Sequence, residues 1–176
     1  FAKLFAGSQI NAAYNCLDVH LGTPRQNKAA LIFEGEPGDT RVYTYQTLHR
    51  EVCKFANVLK KLGIRKGDVV SMYMPMIPEL AIAMLACARI GAIHSVVFGG
   101  FASHELAKRI DDAAPKMILS ASCGIEPGRV VPYKPLLDQA IELSTHKPAR
   151  CVVLQRPQEK AHLLTGRDLD WGDFLS

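Results

Sequence analysis

Hydrophobic and polar positions change period several times along the chain, and each change marks an element. Residues 1–28 hold neither the two-residue nor the 3.6-residue period and read as an irregular lead-in. Ala29 to Phe33 and Arg41 to Tyr45 are short apolar or β-rich runs on either side of the turn-forming cluster Glu36-Pro37-Gly38-Asp39. That arrangement predicts a β-hairpin, with Thr44 placed to cap the element that follows. From Gln46 the spacing changes: Leu48, Val52, Phe55, Leu59 and Leu62 fall at intervals of 4, 3, 4 and 3, on one helical face, and Gly63 stops the helix. The opposite face, with His49, Arg50, Lys54, Lys60 and Lys61, is the polar side of a helix lying on a sheet.

Val69 to Met74 forms a compact apolar strand, and Pro75 and Pro78 end it and start a helix near Glu79. Between Leu80 and Ala88 this helix has no polar side chain, so it must be covered on nearly every side. Glu79 in its first turn and Arg89 in its last suit the helix dipole, and Gly91 caps its C-terminus. His94 to Phe98 is the next strand, followed by Gly99-Gly100 and a helix from Ser103 to Ala113 with Leu106 and Ile110 facing inward. Lys116 to Ala121 gives a strand, Pro135 to Leu143 a helix, Cys151 to Leu154 a strand, and Gln155 to Gly166 a polar loop. Four near-continuous apolar strands alternating with helices predict an α/β fold: a mostly parallel sheet with helices on both faces, preceded by the lead-in and the hairpin.

Composition narrows the function classes. A chain of 176 residues, 48% hydrophobic and 22% charged, is ordinary for a globular domain and excludes collagen-like, disordered and coiled-coil classes. Its formal charge of +4 is carried by scattered basic residues, so neither nucleic acid nor a membrane surface is an expected partner. The longest apolar run, Leu80 to Ala88, is about half of the ~18 residues a membrane span needs. Cys16, Cys53, Cys87, Cys123 and Cys151 lie too far apart for a metal knuckle or a redox pair and read as reduced thiols of an intracellular protein. The six histidines form no i, i+4 pair, and no metal ligands are expected in this segment. The chain begins at Phe1, so a targeting segment upstream would not be seen.

In an open parallel sheet, ligands bind beyond the carboxyl ends of the strands, and two bends qualify. The first is Val97-Phe98-Gly99-Gly100-Phe101-Ala102-Ser103, where paired glycines either let a ligand approach the backbone at a helix N-terminus or simply permit a tight strand-to-helix turn. The second is the loop Ser122-Cys123-Gly124-Ile125-Glu126-Pro127-Gly128-Arg129, where Arg129 is either a bidentate phosphate ligand or one more solvated arginine. Cys123, without a histidine nearby in sequence, reads as a packing or surface cysteine. Asp111-Asp112 reads as a solvated helix edge and Trp171 as a packing anchor for the tail.

Several stretches together carry a family resemblance. Ala13-Tyr14-Asn15-Cys16-Leu17-Asp18, Tyr43-Thr44-Tyr45, Tyr73-Met74-Pro75-Met76-Ile77-Pro78-Glu79 and the long run from Met84 to Phe101 closely resemble the N-terminal part of short-chain acyl-CoA synthetases. These are the AMP-forming acetate and propionate CoA ligases of the adenylate-forming superfamily. Ser122 to Arg129 and Gly166 to Trp171 look more like the propionate-type branch, which includes the mitochondrial short-chain family member.

The resemblance implies a two-step reaction on small molecules: a short-chain carboxylate attacks the α-phosphate of ATP to give an acyl adenylate, and the CoA thiol then displaces AMP. It further implies that residues 29–176 are the first α/β subdomain of the large domain, incomplete here, with the downstream part of the same enzyme as partner. The family's phosphate loop, acyl pocket, ribose-binding aspartate and catalytic lysine have no counterpart in this sequence, so no catalytic residue is expected and the segment alone is predicted inactive. Mg2+ is expected with ATP in the full enzyme but not on this segment. The mitochondrial matrix or the cytosol is the implied compartment. What does map is a CoA contact, at Phe98, Gly99 and Gly100 and at Glu126, Pro127, Gly128 and Arg129. Glu126 stands where the acetate enzymes usually carry arginine, and Val19 where the family typically has arginine. That leaves Arg129 to bind the anion. The alternative is a stand-alone, non-catalytic domain that uses the same loops to bind a nucleotide-like ligand or a protein. The apolar helix discriminates, since a complete domain covers it internally.

Overall fold

The computed structural model describes residue 7 and residues 9–174. The lead-in is more ordered than its pattern suggests. It contains a short helix, α1 (Ala12–Cys16), and two 3-10 turns, Asp18–His20 and Pro24–Asn27, each too brief to leave a period in the sequence. The predicted hairpin forms from β1 (Ala29–Glu34) and β2 (Thr40–Thr44), paired antiparallel, and leads into α2 (Tyr45–Lys61). The Thr44 hydroxyl accepts from the Thr47 amide at 3.1 Å and so satisfies a donor that the helix start leaves free.

Next come β3 (Val69–Met74), α3 (Pro78–Ile90), β4 (Ile93–Phe98), α4 (Ser103–Ala113) and β5 (Met117–Ala121). Gly91 ends α3 at φ 72°, a conformation that favours glycine. The lead-in is tied to this end: Asn11 Nδ2 donates to the carbonyls of Ala88 (3.0 Å) and Arg89 (3.1 Å), and Asp18 pairs with Arg89. No residue from Leu80 to Ala88 is exposed, as a helix without polar side chains requires.

The stretch from Cys123 to Pro132 corrects the sequence reading. It is a hairpin of β6 (Cys123–Glu126) and β7 (Arg129–Pro132), not a loop, with Pro127 and Gly128 as its tip. Proline fixes the first turn position, and Gly128, at φ 74°, supplies the left-handed residue that follows. The chain continues through α5 (Tyr133–Leu143), β8 (Arg150–Leu154) and a strand the pattern did not reveal, β9 (Asp168–Asp170).

Five strands form one parallel sheet in the order β4-β3-β5-β8-β9. Side chains alternate between its faces. Val70, Met72, Met74, Met117, Leu119 and Val152 pack with α2 and α3, while Tyr73, Val97, Ile118 and Cys151 pack with α4 and α5. Trp171 stacks on Phe55 at 4.1 Å and anchors the tail as expected. Asp111 is exposed as expected, yet its Oδ1 accepts from the amides of Thr145 and His146 at 2.8 and 2.9 Å and so fixes the turn after α5. All five cysteines are free; Cys87, Cys123 and Cys151 are buried, Cys53 is half-buried and Cys16 exposed.

Candidate functional site

Because β4, β3 and β5 run parallel, their carboxyl ends share one rim of the sheet. The Gly99-Gly100 bend leaves β4 at that rim, and the β6–β7 hairpin leaves β5 there, with β3 between them. Two tyrosines connect the bends. Tyr73, in β3, shares its hydroxyl proton between the carbonyls of Gly99 (3.1 Å) and Phe101 (3.0 Å). Burial pushes that hydroxyl up to about 12, so it stays a donor at every physiological pH.

Tyr133, the first residue of α5, stands 5.0 Å from Tyr73, ring to ring, and wedges between the two bends. A methyl group added at Gly99 would lie 2.3 Å from the Tyr133 hydroxyl and 2.7 Å from Cε2; one added at Gly124 would lie 2.5 Å from the hydroxyl and 2.7 Å from Cε1. Neither glycine has a positive φ, so close approach, not backbone freedom, is what requires them. Gly100 differs. A methyl group there would meet first the ring of Phe98, two residues back, which is 67% exposed.

The sequence-predicted residues thus divide by depth. Phe98, Gly100, Pro127, Gly128 and Arg129 are exposed, Glu126 is half-buried, and Gly99 is buried under Tyr133, so any role it has in binding is indirect. Glu126 and Arg129 face each other across the hairpin tip. Arg129 Nε and Nη2 lie 2.8 and 2.5 Å from Glu126 Oε2, so the cation expected to act alone is already engaged by the acid beside it. Glu126, the last residue before the tip, lies two residues beyond Gly124 along β6, about 7 Å at strand rise. Both bends thus present exposed residues at the same rim.

At the hairpin's base lies a cavity of about 220 Å³, lined among others by Ser122, Pro132, Lys134 and Asp138. Lys134 is almost wholly buried and pairs with Asp138 (2.6 Å) and Asp168 (2.8 Å), while Arg167 pairs with Asp168 (2.7 Å) and Asp138. Burial raises the Asp168 carboxyl, but hydrogen bonds from Arg167, Lys134 and the Leu164 amide outweigh it and hold the group below the usual carboxylate range. A larger cavity of about 600 Å³ opens between the first hairpin, α2 and α3, yet none of its lining residues belongs to either bend. Glu79 on its wall is engaged bidentately by Arg41. Among the described residues no group of three or more His, Cys, Asp or Glu side chains is placed to hold a metal ion. The sequence reading missed Tyr73 and Tyr133, and periodicity offers no signal for them, since each follows the ordinary pattern of its own element.

The AMP-binding enzyme family profile matches residues 19–170. The chain is 50% identical over 174 residues to the rat mitochondrial acyl-CoA synthetase short-chain family member 3, covering 98% of this chain and 26% of that protein. It is 47% identical over 175 residues to the acetyl-coenzyme A synthetase of Chlorobaculum tepidum, covering 99% of this chain and 26% of that one. Among solved structures, a Brucella canis acyl-CoA synthetase superposes with a TM-score of 0.71 at 24% identity, covering 90% of this chain and 26% of that chain, a likeness of fold. The chain therefore spans about a quarter of the length of these relatives.

Proposed function

The chain belongs to the AMP-binding enzyme family, and from that premise we propose that it is the N-terminal portion of an AMP-forming short-chain acyl-CoA synthetase. The full protein would join propionate or acetate to CoA, converting ATP to AMP and pyrophosphate, in the mitochondrial matrix or the cytosol. This segment contributes part of the CoA site and no catalytic side chain, and is inactive alone. The observation that carries the reading is the shared wall: Gly99 and Gly124, one on each bend, close on the two edges of the same Tyr133 ring. Phe98 offers an exposed aromatic face at this rim, and Arg129 an exposed guanidinium. A ligand with a flat heterocycle and phosphates, such as the nucleotide end of CoA, has use for both.

In the full-length enzyme, Arg129→Ala should raise the KM for CoA about tenfold or more, since a charge-assisted phosphate contact is worth on the order of 1.5 to 3 kcal/mol. ATP–pyrophosphate exchange with the carboxylate, which needs no CoA, is the internal reference. An unchanged CoA dependence would remove Arg129 from the site.

One observation favours a second reading, a stand-alone domain that binds a nucleotide-like ligand or a protein without catalysis. The apolar helix α3 is covered internally, as in a complete domain. Apolar exposure is found instead at Phe98, Met76, Ile32 and Val42. Intact mass and gel filtration of the purified protein discriminate: a compact 19.3 kDa monomer with cooperative unfolding and no sticky surface supports the second reading.

A further inference from the structure

We infer that Tyr133 is a positioning residue for the CoA site, a side chain that sets the separation of the two ligand-facing bends without touching the ligand. The inference rests on the reading of this rim as a CoA site. Tyr133 is held from every side that matters. Its amide donates to the Ser122 carbonyl at 3.0 Å, which fixes its backbone to the end of β5. Its ring is 5% exposed and lies against Tyr73, whose hydroxyl in turn holds the carbonyls of Gly99 and Phe101. The Cε2 edge faces Gly99 and the Cε1 edge faces Gly124, with the hydroxyl close to both.

The consequence is geometric. One bend follows the edge strand β4 and the other follows β5, and no hydrogen bond of the sheet joins β4 to β5 directly. Beyond the ends of the strands that β3 joins, Gly99 and Gly124 both close on one aromatic ring. Glycine at both positions is explained by that ring and by nothing in the local backbone, because neither residue has a positive φ. Phe98 and Gly100 flank one side of the wedge in sequence, and Glu126 and Arg129 extend from the other. Removing the ring lets the bends shift relative to each other, and a ligand bridging them loses registration. The chemistry elsewhere in the enzyme is untouched.

The test is steady-state kinetics on the full-length synthetase. Tyr133→Ala should raise the KM for CoA about fivefold or more, with kcat and the KM values for ATP and carboxylate within about twofold. Tyr133→Phe, which keeps the ring, should restore the CoA KM to within about twofold of the wild type. Gly99→Ala, which drives a methyl group into the ring, should raise the CoA KM in the wild-type background but add less than about twofold to Tyr133→Ala, the non-additivity of residues in contact. If Tyr133→Ala does not fold, Gly99→Ala and Tyr133→Phe decide alone: a rise for the first and near-wild-type behaviour for the second support the inference. Equal effects on all substrates, or strictly additive variants, overturn it. An unchanged CoA KM in Tyr133→Ala while Arg129→Ala raises it overturns the positioning role and leaves the site reading standing. Unchanged CoA kinetics in both variants overturn the two together.

Discussion

Glu126 and Arg129 oppose each other across a two-residue tip, and their pairing decides how strong the candidate anion site is. The arginine side chain is 70% exposed and the glutamate 39%, so water screens the pair and it is worth about 0.2 to 1 kcal/mol. A phosphate arriving at Arg129 must compete with a carboxylate already 2.5 Å from Nη2. Glu126→Gln removes that competitor and should lower the KM for CoA about two- to fivefold in the full-length enzyme, measured at low ionic strength where surface charges count most. A KM that stays the same or rises would show that Glu126 does not restrain Arg129. At this scale the sequence showed a cation, Arg129, at the end of a glycine-bearing segment after β5, but not the hairpin that sets it opposite Glu126. The reason for Gly99 was not legible either, because it depends on a ring brought back by tertiary packing.

Strands and helices were legible where their apolar pattern was long. The five apolar positions on one face of α2 and the unbroken apolar stretch of α3 are signals that only burial explains, and both helices formed within a residue or two of their expected bounds. The β6–β7 hairpin and β9 escaped because they are four, four and three residues long and partly polar. β9 is held by its parallel pairing with β8, by the charges around Asp168 and by one apolar side chain, Leu169, packed on the core, too little to leave a pattern in the sequence. Asp168→Asn leaves the buried Lys134 with Asp138 as its remaining partner, and it should destabilise the chain by about 1.5 to 3 kcal/mol near neutral pH, the cost of weakening charge-assisted hydrogen bonds in a buried network. Denaturant unfolding followed by the fluorescence of Trp171, the single tryptophan, measures this. The pH dependence has a defined sign. Asp168 titrates below its ordinary value in the folded chain, so its contribution is complete above about pH 4 and is lost as pH falls through the lower folded value. The gap between wild type and Asp168→Asn should therefore narrow on acidification from about pH 5 to pH 2. A gap that widens would contradict the network.

At the scale of the whole molecule, the alternation of strands and helices specified a parallel sheet, and a parallel sheet has one rim at which ligands bind. Which loops meet at that rim follows from strand order. The order β4-β3-β5 is not written in any local pattern; it emerges from the packing of α2 and α3 on one face and α4 and α5 on the other. The edge strand β4 leaves Ile93, Val96 and Phe98 exposed along its length, and Phe98, its last residue, puts an apolar ring at the carboxyl rim beside the proposed nucleotide surface. Photolabelling of the full-length protein with CoA bearing an azide on its adenine, followed by peptide mapping, reads out this arrangement. The account predicts label in the peptides holding Phe98–Phe101 and Gly124–Arg129, both suppressed by excess unmodified CoA. Label that excess CoA suppresses yet that falls wholly outside these two bends would contradict it.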